Sequence, residues 1–334
     1  MKRLSLCILA IGIFLFPFSI GWRVEAEVNT KNLPLFTFSV LSDLHITPWD
    51  LKSQRLFSHA LSDHAVIAPH SKLMVLNGDL TNGHVNDYST LDQLLRQQPR
   101  APIAATMGNH EYYAMWDHDS KSKEPVRLSE HWTSEQAIRL FTRFFHQDHP
   151  YYDLWVEGYH FIFLSGEAYR DVLPQIGEDA WLSPEQLAWL KKTLGATAED
   201  TDPSSDRAAS NKPVFVFLHQ PLPHTLDGTD AERGIAQHQE LVQLLASVPQ
   251  VMFFSGHTHW DLGRTKQINP QAVYSVGSAS IRQVYDESNK PASPAQSQSL
   301  LVEVYKDRVD IRGREHTTKR WLNRTSYLLK EHNN

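Results

Sequence analysis

Along most of the chain, short apolar runs alternate with longer stretches in which apolar residues recur every three or four positions. Residues 36–42, 73–76 and 102–107 are runs of the first kind and predict buried strands. Between them, 53–67 carries Leu56, Ala60, Leu61 and Val66 at helical spacing, and 86–97 is amphipathic. That β-α-β-α-β order predicts a sheet with parallel neighbours and helices laid over it. Residues 111–135 are aromatic and charged without a period and predict a long loop. Beyond them the pattern predicts a helix at 133–146, strands at 151–156 and 159–165, and a helix opened by Ser183-Pro184-Glu185. A strand at 213–219, a helix at 234–247 and a strand at 250–256 follow. The runs 272–277, 299–305 and 308–313 predict a terminal antiparallel group, the last two joined by a tight Lys306-Asp307 turn. Segments 195–212 and 285–298 are polar surface connections.

The first residues break this pattern. Lys2 and Arg3 precede an uncharged run over 4–22, and Val24-Glu25-Ala26 ends in small residues, the layout of a secretory signal cut after Ala26. A retained membrane anchor is the alternative reading of the same run; Pro17 and Gly21 within it favour removal. Residues 34–316 then read as a single domain and 317–334 as a C-terminal tail. The one cysteine, Cys7, falls inside the signal, so the mature chain is held by its core or by metal rather than by disulfides. Losing Lys2, Arg3 and Arg23 against Glu25 takes the net charge from −6 to −8. Such a balance gives no grip on nucleic acid.

Five of the apolar runs stop at side chains that bind metals: Asp43-Leu44-His45, Gly78-Asp79, Gly108-Asn109-His110-Glu111, Leu218-His219 and Gly256-His257-Thr258-His259. The C-terminal ends of parallel strands are where loops converge on ligand sites. The donors Asp43, His45, Asp79, Asn109, His219, His257 and His259 comprise carboxylate, amide and imidazole, without sulfur. That set suits Mn, Fe, Zn or Co, and its size exceeds what one tetrahedral ion uses. Two ions sharing a bridging carboxylate use it in full.

The ordered set D-x-H, G-D, G-N-H-E, H and G-H-x-H resembles the calcineurin-like metallophosphoesterase superfamily over roughly residues 36–262. The resemblance implies a four-layer αββα sandwich, two mixed β-sheets flanked by helices, with a dinuclear site at the strand ends. It implies that Asp43, His45 and His259 hold one ion, that Asn109, His219 and His257 hold the other, and that Asp79 bridges them. It implies two transition-metal ions, with Mn, Fe or Zn foremost, a bridging hydroxide that attacks a small phosphate ester, His110 assisting the leaving oxygen, and Glu111 positioning that imidazole.

Leu80-Thr81-Asn82 lacks the tyrosine that purple acid phosphatases place three residues after this aspartate, and the protein phosphatase pattern G-D-x-x-D-R-G is absent. The branch most similar is the one containing class III cyclic-nucleotide phosphodiesterases, although export argues against an intracellular signal as substrate. A metal-binding module without turnover is the alternative from another class. His84 and His224 are candidates for touching substrate, and Trp49, Tyr112, Tyr113, Trp116 or Trp260 for stacking on a ring. Other histidines, His64, His160 and His316 among them, read as surface or packing residues.

Overall fold

The computed structural model describes residues 33–118, 125–129, 131–199, 212–230, 234–248, 250–264 and 266–329. The signal-like segment 1–26 lies outside them, and the account below concerns the compact unit that begins at Pro34. Among the described residues no helix is long and apolar enough to cross a membrane.

The chain opens with β1 (Phe36–Leu41), α1 (Leu51–Ile67), β2 (Leu73–Asn77), α2 (Val85–Arg96) and β3 (Ile103–Thr106). A 3-10 turn over His110–Met115 leads into the small antiparallel pair β4 (Trp116–His118) and β5 (Pro125–Leu128). Then come α3 (Ser134–Phe145), β6 (Tyr152–Val156), β7 (Tyr159–Phe163), α4 (Pro184–Glu199), β8 (Val214–Phe217), α5 (His238–Ala246) and β9 (Val251–Ser255). The last strands are β10 (Ile268–Asn269), β11 (Tyr274–Gly277), β12 (Gln298–Val304), β13 (Arg308–Glu315) and β14 (Arg320–Leu328). Among the described residues these build two six-stranded mixed sheets, ordered β14-β13-β12-β1-β2-β3 and β10-β11-β9-β8-β7-β6. β1, β2 and β3 run parallel, as do β7, β8, β9 and β11.

Strand alternation explains the layering. Phe36, Phe38 and Val40 of β1 point to one face and meet Phe161, Phe215, Phe217 and Phe254 of the other sheet in a shared core. Phe38 sits edge-on to Phe161 and Phe215, with centroids 5.0 and 4.9 Å away. The opposite faces bury a second core beneath α1, α2 and α3 and a third beneath α4 and α5. Helix, sheet, sheet, helix is the predicted sandwich.

Three stretches differ from the expectation. Within 111–135 the aromatic residues pack as a 3-10 turn and a hairpin: Tyr112 is buried and its hydroxyl donates to the Gly166 carbonyl at 2.6 Å. In α1 the buried face is Phe57, Ala60 and Leu61 with Asp63 and His64, while Val66 is 77% exposed. The segment read as a tail supplies β14, the edge strand beside β13.

Candidate metal centre

Each candidate donor follows a strand by two to four residues: Asp43 and His45 after β1, Asp79 after β2, Asn109 after β3, His219 after β8, and His257 and His259 after β9. Because the two sheets face each other, their parallel strands deliver these ends to one edge. The loops are tied across the gap. Asp43 N–H donates to the Gly78 carbonyl at 3.1 Å, and Asn77 Nδ2 reaches the carbonyls of Leu218 and Phe254 in the second sheet at 3.4 and 3.3 Å. Five donor residues sit at positive φ: Asp43 at 56°, His45 at 47°, Asp79 at 51°, His257 at 69° and His259 at 60°. Each such residue costs about 1–3 kcal/mol, and such strain persists where the surroundings over-determine it, typically at functional sites. The neighbouring glycines remove bulk. A Cβ on Gly256 would lie 2.0 Å from Ser42 Oγ and 2.7 Å from Asp43 Oδ2, and one on Gly108 would lie 2.2 Å from Asp79 Oδ1.

The donors meet in two groups that share one carboxylate: Asp43, His45, Asp79 and His259, and Asp79, His219 and His257, each within 4.8 Å. Asp43 Oδ1 lies 2.8 Å from His259 Nε2, and Asp79 Oδ2 lies 3.2 Å from His219 Nε2 and 3.9 Å from His45 Nε2. Asn109 lines the same cleft as Asp79, His257 and His259. Asp43 Oδ1 and His219 Nε2 rest on other donors in these pairs, whereas Asn109 Oδ1 and His257 Nε2, also buried, lack any partner in hydrogen-bond geometry. A buried polar atom left unpaired costs about 1–3 kcal/mol, so two of them beside clustered carboxylates and imidazoles call for a cation. Oxygen and imidazole donors without sulfur fit Mn, Fe or Zn.

Residues behind the donors aim them. His219 Nδ1 bonds the Asn77 carbonyl at 2.8 Å and His259 Nδ1 the Gln283 carbonyl at 2.9 Å, which leaves each Nε2 lone pair for metal. Asn109 Nδ2 donates to Glu178 Oε2 at 2.9 Å, turning its amide oxygen inward. Glu178 is in turn held by Arg170 and the Tyr113 and Tyr169 hydroxyls.

A sequence profile described as calcineurin-like phosphoesterase matches residues 36–261, most of the chain. The chain belongs to the calcineurin-like phosphoesterase family. Solved structures agree at the level of fold. A dimetal phosphatase from Danio rerio superposes with a TM-score of 0.60 at 14% identity, covering 89% of this chain and 100% of that one. A purple acid phosphatase from yellow lupin seeds gives 0.51 at 11% identity, covering 88% of this chain but 53% of its own. The anchor protein of the inner membrane complex of Plasmodium gives 0.52 at 13% identity, covering 89% of each. None of the curated proteins matches the chain.

Within this centre the charges of the phosphoesterase's donors pair with one another. Burial opposes ionisation of Asp43, but His259 and His219 outweigh it and bring its pKa to about 2. Burial likewise opposes a charge on His219, which the carboxylates of Asp79 and Asp43 overcome, raising its pKa to about 10. Burial, then the charge on His219, pushes His257 down to about 3. A dication at this place would do the same work as those protons and displace them.

His110 does not join the donor groups. Its Nδ1 lies 3.0 Å from Asn82 Oδ1, its ring stacks on Tyr113 with centroids 3.9 Å apart, and its Nε2 faces the cleft 3.9 Å from Asp79 Oδ2. Burial lowers its pKa, with Asp79 opposing. The partners of Glu111 differ from the expectation. Its carboxyl is buried and accepts from the backbone N–H groups of Asp79, Leu80, Thr81 and Gly108 at 2.7–3.0 Å, so it braces the loop carrying Asp79. Asn82 orients the imidazole instead, and Asp87 holds the backbone of Asn82 and His84 at 3.2 Å. Above the donors lies a cleft of about 660 Å³. Trp49 and Tyr113 line it, together with Tyr285, Glu178 and Arg282, which the sequence did not flag; His84, His224, Tyr112, Trp116 and Trp260 do not.

Proposed function

We propose that this protein is an exported metal-dependent hydrolase of small phosphomonoesters or phosphodiesters. The observation that carries the reading is the convergence of the candidate donors, among them the unpartnered buried atoms Asn109 Oδ1 and His257 Nε2, beneath an open cleft. Asp43, His45 and His259 would hold one ion, Asn109, His219 and His257 a second, with Asp79 common to both. Bound there, two transition-metal ions neutralise the negative oxygens of a phosphate ester and acidify water enough to give hydroxide near pH 7.

The chain's own residues do the rest. Glu178 and the carbonyls of Asn77 and Gln283 hold the donor atoms in place, so little reorganisation accompanies binding. With Nδ1 engaged by Asn82, His110 keeps Nε2 toward the cleft, where a protonated imidazole hands its proton to the leaving oxygen. Burial alone would leave this ring neutral; an arriving phosphate anion favours the imidazolium, and a proton held weakly is readily given up. Export is supported by the Lys2-Arg3 start, the apolar run over 4–22 and the Ala26 cleavage pattern.

The test is direct. The mature chain, supplied with Mn, Fe, Zn or Co, is assayed on 4-nitrophenyl phosphate and bis(4-nitrophenyl) phosphate. Release of nitrophenol from at least one ester is expected, and Asn109→Ala abolishes it while lowering metal content. A protein that binds metal yet cleaves neither ester with any of the four ions is a binding module, and the hydrolase reading fails.

A further inference from the structure

The segment 280–283 is built into the metal centre from behind. Ile281 N–H donates to the Ser42 carbonyl, and Arg282 N–H and Ser280 Oγ both donate to the Asp43 carbonyl, each at 3.1 Å. Gln283 accepts from His259 through its carbonyl. The backbone of Arg282 is thus fixed beside two donor residues while its side chain lines the cleft. Of the residues lining that cleft, Arg282 is the one arginine or lysine.

Its guanidinium is held on one side only. Nε donates to Asp50 Oδ2 at 2.6 Å, and Asp50 Oδ1 is taken up by the N–H groups of Lys52 and Ser53 at the start of α1. Asp50 therefore grips the inner edge of the fork. Of the outer nitrogens, Nη1 has a 3.5 Å contact with Gln283 Oε1 and Nη2 has no partner among the described residues. Two adjacent N–H donors on a planar cation match the oxygens of a phosphate or carboxylate. The ion pair of Arg282 is with Asp50, a cleft residue outside the two donor groups, and among the described residues none joins it to the carboxylates of Asp43 or Asp79. The fork is thus aimed at the part of the cleft beside α1. Trp49, 68% exposed, and Tyr285, stacked on His259 with centroids 5.3 Å apart, line the same cleft.

We propose that Arg282 forms a second anion subsite, and that the preferred substrates are phosphate esters whose organic part carries a further phosphate or carboxylate. This rests on the phosphoesterase reading and adds a substrate class to it. Arg282 binds the group that is not transferred, and Asp50 is the positioning residue that aims it.

Matched probes that differ by one anion test this. Adenosine 5'-monophosphate is compared with adenosine 3',5'-bisphosphate for a monoesterase, and a diadenosine dinucleotide without and with a terminal phosphate for a diesterase. In the wild-type chain the doubly anionic member has the higher kcat/KM, by about 10-fold or more, carried by KM. Arg282→Gln brings that ratio to near one, and Arg282→Lys, which keeps the charge but not the fork, leaves an intermediate ratio. Calorimetric binding of the two adenosine phosphates is measured in parallel and follows the same order. A wild-type ratio near one, or an undiminished ratio in both variants, overturns the proposal. Loss of kcat on both members at unchanged ratio also overturns it, because Arg282 then serves the reacting phosphate. If no ester is cleaved at all, the hydrolase reading fails while the binding ratio still decides the role of Arg282.

Discussion

Asn109 shows how a side chain with no charge is oriented as a candidate donor. Its amide nitrogen is held by Glu178, so its oxygen faces the cleft without a partner. Replacing Glu178 with Ala frees the amide to rotate; metal content should fall and activity drop about 10–100-fold, as for other partners of metal-binding side chains, checked by elemental analysis beside the rate. His110→Ala should behave differently. It leaves the donors in place, so metal content stays at the wild-type level while the rate falls about 10²–10⁴-fold. A variant that hydrolyses as fast as the parent removes His110 from the chemistry. The glycines give a third contrast: Gly256→Ala drives a methyl into Ser42 and Asp43 and should cost metal content before it costs fold.

At the scale of elements, α1 is bolted to the strands beneath it by a buried polar cluster. Asp63 accepts a two-pronged ion pair from Arg314 at 2.7 and 2.8 Å and a bond from His316 at 2.9 Å. His64 bonds Ser39 at 3.0 Å and Ser299 at 2.8 Å, and Ser299 bonds His316 at 2.8 Å. Ser299, His316 and Asp63 have the spacing of a nucleophile triad, but all three are buried and Arg314 occupies the carboxylate, so the cluster is structural. Asp63→Asn leaves the Arg314 charge buried and should cost about 3–5 kcal/mol in urea unfolding. Burial, then the charge on His316, holds the pKa of His64 at about 3. The unfolded chain therefore takes up a proton below about pH 6.5 that the folded chain refuses. Stability is whole above that pH and declines as pH falls from 6.5 toward 3, with a slope of up to about 1.4 kcal/mol per unit from this group. Urea midpoints of the chelated protein across that range should show the decline, and His64→Asn should flatten it.

What sequence could reveal follows from the same geometry. The convergence of the seven candidate donors is legible because each follows an apolar run, so strand end and metal-friendly residue coincide in the chain. Asn82, Glu178 and Arg282 are not, since they lie in irregular loops and act through contacts made only on folding. Adjacency in sequence suggests contact between Glu111 and His110, whereas Glu111 bonds the backbone of the loop carrying Asp79 and His110 bonds Asn82. β14 is an edge strand whose positions are mostly exposed, so no apolar run announces it.

For the whole molecule, the centre is a joint between two sheets: Asp43, His45, Asp79 and Asn109 come from one and His219, His257 and His259 from the other. Metal bound there would hold the sheets together as well as serve chemistry. Chelation should therefore lower the melting temperature, and added Mn or Zn should restore it in a concentration-dependent way. Phe38→Ala, which hollows the core between the sheets, should cost about 3–5 kcal/mol in chemical unfolding and loosen metal binding too. Chain order adds a condition of its own. β1 lies between β2, made soon after it, and β12, which begins at Gln298. During synthesis every donor is made before β12, the strand that flanks β1 on its other side. A nascent chain halted before that strand would own all seven ligands and lack the frame that brings them together.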